Sequence, residues 1–130
     1  MNYNRTGPVA RNARSGTREK GNRGEERAAE YLLTQGYEVV CRKYQSRRGE
    51  IDCIARDPDG TLVFVEVKSS GGKTCGSPFS WVTPAKQRKL SLVARQYLAE
   101  HRLTMVPCRF DVIGITGERI EHLRNVIIGR

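Results

Sequence analysis

The sequence lacks the close cysteine and histidine pairs of a zinc site. Its four cysteines, Cys41, Cys53, Cys75 and Cys108, include no two within four residues of each other, and His101 and His122 are far apart. It also has no run near the ~20 consecutive apolar residues of a membrane span. The basic N-terminus has no apolar core of a secretory signal. No segment repeats. These absences lead us to expect a cytoplasmic protein without membrane attachment, with reduced thiols that fill core and loops. Acids are scarce at one end: residues 1–23 hold Arg5, Arg11, Arg14, Arg18, Lys20 and Arg23 against Glu19 alone, or +5 of the formal net charge of +9. Large apolar side chains are almost missing there too, so burial cannot offset the entropy of ordering. Residues 1–20 are expected to be a disordered basic tail, either a solubilising extension or an arm for phosphates. Residues 21–130 are expected to form a single domain.

What remains is ordinary for a globular chain of 130 residues, 38% of them hydrophobic. Residues 24–35 carry apolar side chains at helical spacing, and Gly36 suits the position that ends a helix. Residues 37–44 alternate as a strand. Residues 50–56 and 61–68 read as a hairpin closed by Asp57-Pro58-Asp59-Gly60, the second strand apolar enough for a central place. Ser69–Ser80, with three glycines, reads as a mobile loop. Thr83-Pro84 opens a second helix that ends near His101. Residues 108–115 and 120–128 complete the chain as strands. The order α-β-β-β-α-β-β predicts an α/β fold with a mixed sheet.

Chemistry concentrates at Gly49-Glu50-Ile51-Asp52 and Glu66-Val67-Lys68. Residues two apart on a strand share a face, so Glu50 and Asp52 are expected to project together, as are Glu66 and Lys68. The hairpin brings Asp52 close to Glu66. Charges on a central strand are costly unless paired or bound to a ligand. Magnesium seeks oxygen donors, which the Asp52 and Glu66 carboxylates and the Val67 carbonyl would supply. Such an ion would hold a phosphate and acidify a water, with Lys68 steadying the charge that grows in the reaction. A plain structural ion pair of Lys68 is the other reading. Glu25 either aims inward from the first helix toward these acids or closes a capping box with Asn22. Arg42, Lys43, Arg47 and Arg48, with Tyr44 among them, suit a nucleic-acid backbone or a solvated strand end.

The motifs Lys20-Gly21-Asn22-Arg23-Gly24-Glu25, Gly36-Tyr37, Gly49-Glu50-Ile51-Asp52, Phe64-Val65-Glu66-Val67-Lys68 and Arg109-Phe110-Asp111-Val112, in this order, resemble the YraN family. That family is uncharacterised and similar to archaeal Holliday-junction resolvases of the PD-(D/E)xK restriction-endonuclease-like group. The resemblance implies a restriction-endonuclease-like mixed β-sheet flanked by helices. It implies Asp52, Glu66 and Lys68 as a central triad, Glu25 as the helix-borne acid, and Gln87 near the site from the second helix. It implies magnesium or manganese as cofactor, and a homodimer. The expected function is Mg-dependent endonuclease action on phosphodiesters of structured or branched DNA. The alternatives are a nucleic-acid-binding module with a weak or unused site, or a small assembly protein with a basic tail.

Overall fold

The computed structural model describes residues 16–70, 82–103 and 105–126, with side chains from Arg23 onward in the first helix. The chain order is α1 (Gly16–Thr34), β1 (Glu38–Ser46), β2 (Gly49–Arg56), β3 (Leu62–Ser70), α2 (Pro84–Glu100), β4 (Cys108–Thr116) and β5 (Arg119–Leu123). This is the expected α-β-β-β-α-β-β series. The five strands form one sheet in the order β1-β2-β3-β4-β5. Every neighbouring pair is antiparallel except β3 and β4, which run parallel on either side of the α2 crossover. The sheet is mixed, as expected.

Each face is covered by one helix. Ala28 and Leu32 of α1 pack with Tyr37, Cys53, Ala55, Val63, Val65, Ile113 and Ile115. Leu90, Val93, Ala94 and Tyr97 of α2 pack with Val40, Ile51, Ile54, Leu62, Phe64 and Val112. Covering both faces is what lets Leu62, Val63, Phe64 and Val65 all be buried in succession on β3. The local stops and starts follow the sequence. Tyr37 N–H donates to Leu32 O at 2.9 Å around Gly36, whose φ of 90° ends α1 in the left-handed region. Thr83 Oγ1 accepts from Lys86 N–H at 3.2 Å and caps α2.

Three boundaries differ from expectation. Helix α1 begins at Gly16 rather than Gly24, so residues 16–20 belong to the helix; residues 1–15 of the expected tail lie outside the described residues. Asn22 therefore falls inside α1, and a capping box with Glu25 has no helix start to close. Strand β3 continues through Ser70, and the rest of the expected mobile loop, 71–80, lies outside the described residues. Strand β5 stops at Leu123 instead of continuing to 128. The cause is buried Asp111: Asn125 turns with φ 55° and donates its backbone N–H to Asp111 Oδ1 at 2.9 Å, which takes the chain out of the ladder.

Candidate active site at the end of the β2–β3 hairpin

Strands β2 and β3 pair from Arg56↔Leu62 to Cys53↔Val65. On its other side β3 stays paired with β4 as far as Ser70↔Thr116. Past Cys53 a side chain continues the β2–β3 ladder: Val67 N–H donates to Asp52 Oδ2 at 2.8 Å. Regular alternation fails at this point. Ile51 packs on the α2 face, while Cys53, two residues on, packs on the α1 face. Glu50 and Asp52 do not behave as the expected pair. Glu50 is exposed and accepts from Gln45 Nε2 at 2.8 Å, whereas Asp52 is 9% exposed.

Asp52 thus lies between the two faces, and acids approach it from each. Gly24 places Glu25 on the α1 side. A Cβ at Gly24 would stand 2.8 Å from Ser69 Cβ, so only glycine lets α1 lie this close to the end of β3. Glu25 is three-quarters or more buried; Lys43 Nζ lies 3.1 Å from its Oε1, yet that buried oxygen receives no hydrogen bond. From the α2 side comes Glu66, whose side chain is 13% exposed and whose Oε2 is 2.8 Å from Lys86 Nζ. Burial is the main force on Asp52. Together with the charges of Glu25 and Glu50 it raises the carboxyl from 3.8 to about 7, against the lowering effect of the Val67 N–H. Burial, then the neighbouring Asp52 charge, also raises Glu66, with Lys86 opposing. Its hydrogen bond to Glu66 in turn raises Lys86.

The other nominated residues fall as follows. Lys68 is exposed, and no ion pair joins it to the carboxylates. Gln87 donates from Nε2 to Val82 O at 3.1 Å, at the start of α2. Arg42, Arg47 and Arg48 are exposed on β1 and the β1–β2 turn. Tyr44 is not a free stacking surface. Its ring meets Tyr97 edge-on at 5.1 Å and its hydroxyl donates to Glu100 Oε1 at 2.7 Å.

The donor set suits a hard divalent ion in kind. It consists of carboxylates from three elements, one of them with a buried oxygen, Glu25 Oε1, that faces Lys43 Nζ at 3.1 Å without a hydrogen bond. As they stand, no three His, Cys, Asp or Glu side chains among the described residues are gathered closely enough to enclose an ion. Lys86 and Lys43 instead hold the outer two acids.

Residues 24–115 match the model of the uncharacterised protein family UPF0102. The chain belongs to this family. It is 46% identical over 106 residues to the UPF0102 protein of Cupriavidus taiwanensis, covering 82% of this chain and 80% of the relative. Among solved structures it is similar to a repair endonuclease from Pyrococcus abyssi, with a TM-score of 0.45 and 16% identity over 82% of this chain. It is also similar to an EndoMS–dsDNA2 complex, with a TM-score of 0.43 and 16% identity over 86% of this chain. The chain spans 42% of the length of each of these two.

In this UPF0102 chain, sequence reasoning missed two things. One is Lys86. The other is a network around Asp111, which is 1% exposed. Asp111 accepts from Arg109 Nε at 2.9 Å and pairs with His122 Nε2 at 2.8 Å, while Arg109 reaches Asp57 Oδ2 at 2.6 Å and Tyr37 Oη at 2.8 Å. Burial alone would raise the Asp111 carboxyl; His122, Arg109 and the Asn125 N–H outweigh it and hold it low. This network ties the β2–β3 turn, the residue before β1, β4 and β5 together on the α1 face. Its signal was present in the sequence as two charges two apart on an apolar strand. No helix among the described residues is long and apolar enough to cross a membrane.

Proposed function

We propose that this UPF0102 chain is a magnesium- or manganese-dependent endonuclease that hydrolyses phosphodiesters in structured or branched DNA. The supporting observation is buried Asp52 where β2 leaves β3, its carboxyl raised to about 7 by burial and the charges of Glu25 and Glu50, and its own charge felt by Glu66. Burying the Asp52 carboxylate costs folding free energy that a bound cation would offset. Asp52, Glu66 and the Val67 carbonyl would hold the metal. When bound, it would grip the scissile phosphate and acidify the attacking water. The Val67 N–H fixes one Asp52 oxygen, so this ligand is oriented before anything binds. Lys68, exposed two residues beyond Glu66, would meet the charge growing on the phosphate. Arg42, Lys43, Arg47 and Arg48 would bind the DNA backbone. Lys89 extends this basic surface onto α2. Its Cδ would lie 3.4 Å from a Cβ at Gly49, the residue that follows Arg48.

A second reading is favoured by the Lys86–Glu66 pair, which already compensates one acid without metal. In that reading the chain binds nucleic acid and its acidic site is unused. A panel of hairpin, flap and four-way DNA with Mg²⁺ or Mn²⁺ separates the two. Asp52→Asn and Glu66→Gln should abolish cleavage and calorimetric metal binding while DNA binding persists. Lys68→Ala should still bind metal and lose roughly 10²-fold in turnover. Wild-type protein that neither cuts any substrate nor binds metal would leave only the binding module.

A further inference from the structure

Lys86 stands where a helix does not favour it. It lies in the first turn of α2, where the backbone dipole disfavours cations, and that turn contains no acid to compensate. Its own N–H is held by the Thr83 cap. Its long side chain reaches across to Glu66 on β3 and ends 2.8 Å from Oε2, the shorter of the two lysine contacts to the site's acids. The Glu66 side chain is 13% exposed and that of Lys86 46%, so the lysine is the more solvated partner of the pair. The main chain of Lys86 is therefore held by the cap while nearly half of its side chain meets solvent.

The geometry points to Lys86 as a resident counter-cation. It neutralises Glu66 in the metal-free protein, yields that carboxylate to an incoming divalent ion, and then offers its ammonium to a substrate phosphate at the same site. The exchange is ionic and breaks no covalent bond. It rests on the metal-site reading above and adds that metal and DNA are coupled through one lysine. By linkage, an ion that frees Lys86 must tighten DNA binding, and DNA must tighten ion binding by the same factor. Motif spacing nominates Lys68 as the lysine of the site. The structure gives Glu66 a different one, delivered by the crossover helix.

The test uses the full chain and Ca²⁺, an oxygen-seeking divalent probe, read by calorimetry and by DNA-binding titrations with and without the ion. Lys86→Met removes the competitor, so Ca²⁺ affinity should rise roughly two- to fivefold, the scale of a partly exposed ion pair. Lys86→Arg should bind Ca²⁺ like wild type. Ca²⁺ should tighten DNA binding severalfold more in wild type than in Lys86→Met, where only the ion's own hold on the phosphate remains. If Lys86 only fastens α2 to the sheet, Lys86→Met will melt earlier with unchanged Ca²⁺ affinity, and the inference fails while the metal site stands. If neither wild type nor any variant binds Ca²⁺, the metal site and the inference fall together. Should Lys86→Met not fold, Lys86→Gln makes the same comparison with a smaller loss of packing.

Discussion

Replacing Asp52 by Asn should stabilise the protein, and do so only above mildly acidic pH. The carboxyl titrates near its ordinary 3.8 when unfolded and at about 7 when folded. Below pH 3.8 both states are protonated and nothing is lost. Between these values the folded state holds a proton that the unfolded state has given up, so stability falls as pH rises. Above pH 7 the full penalty applies, roughly 4 kcal/mol for a gap of this size. Asn keeps a carbonyl for the Val67 N–H and carries no charge, so this penalty disappears. The melting temperature of Asp52→Asn should match wild type near pH 4 and exceed it by on the order of 10 °C at pH 8. Circular dichroism melts at low salt in EDTA, from pH 4 to 8.5, measure the difference directly. Adding Mg²⁺ at pH 8 should narrow the gap by stabilising wild type alone. Curves for the two proteins that stay parallel across the pH range would refute the claim that folding forces charge onto this position.

Two further outcomes follow from the other networks. Asp111→Ala should cost roughly 3–5 kcal/mol in urea unfolding, because Arg109 and His122 lose their shared buried acceptor; a loss below ~1 kcal/mol would show that the network is ornamental. Binding to duplex DNA should have a log–log salt slope of about −5 if ~6 phosphates are neutralised. Deleting residues 1–15, which removes Arg5, Arg11 and Arg14, should flatten it, and an unchanged slope would exclude the tail from the interface.

Much of the fold was legible because local chemistry fixes it. The Asp57-to-Gly60 turn forms as its residues require, with Gly60 N–H donating to Asp57 O at 2.9 Å and Gly60 at φ 95°. Thr83 and Gly36 mark their helix ends for equally local reasons. Strand parity carried Glu66 correctly onto the face of Leu62 and Phe64, where α2 lies. It failed for Asp52, because parity assumes a regular strand and β2 stops pairing with β3 at Cys53. Tyr44 sat in a basic run, but the run does not show that Tyr97 lies across from it. Lys86 was illegible for the same kind of reason. A helix lysine near a cap resembles any surface lysine until the crossover sets it over β3. Asn125 looked like strand because the demand of a buried acid on β4 is a tertiary fact.

The division of the sheet also orders events in time. Glu25, Asp52 and Glu66 all lie ahead of the crossover, on a helix and a hairpin that are close in sequence and can assemble through short loop closures. The parallel pairing of β3 with β4 must wait for α2 to be made and to fold back. A growing chain therefore gathers its acids first and receives the Lys86 counter-charge later. During synthesis the three acids are made before Lys86, the partner of Glu66.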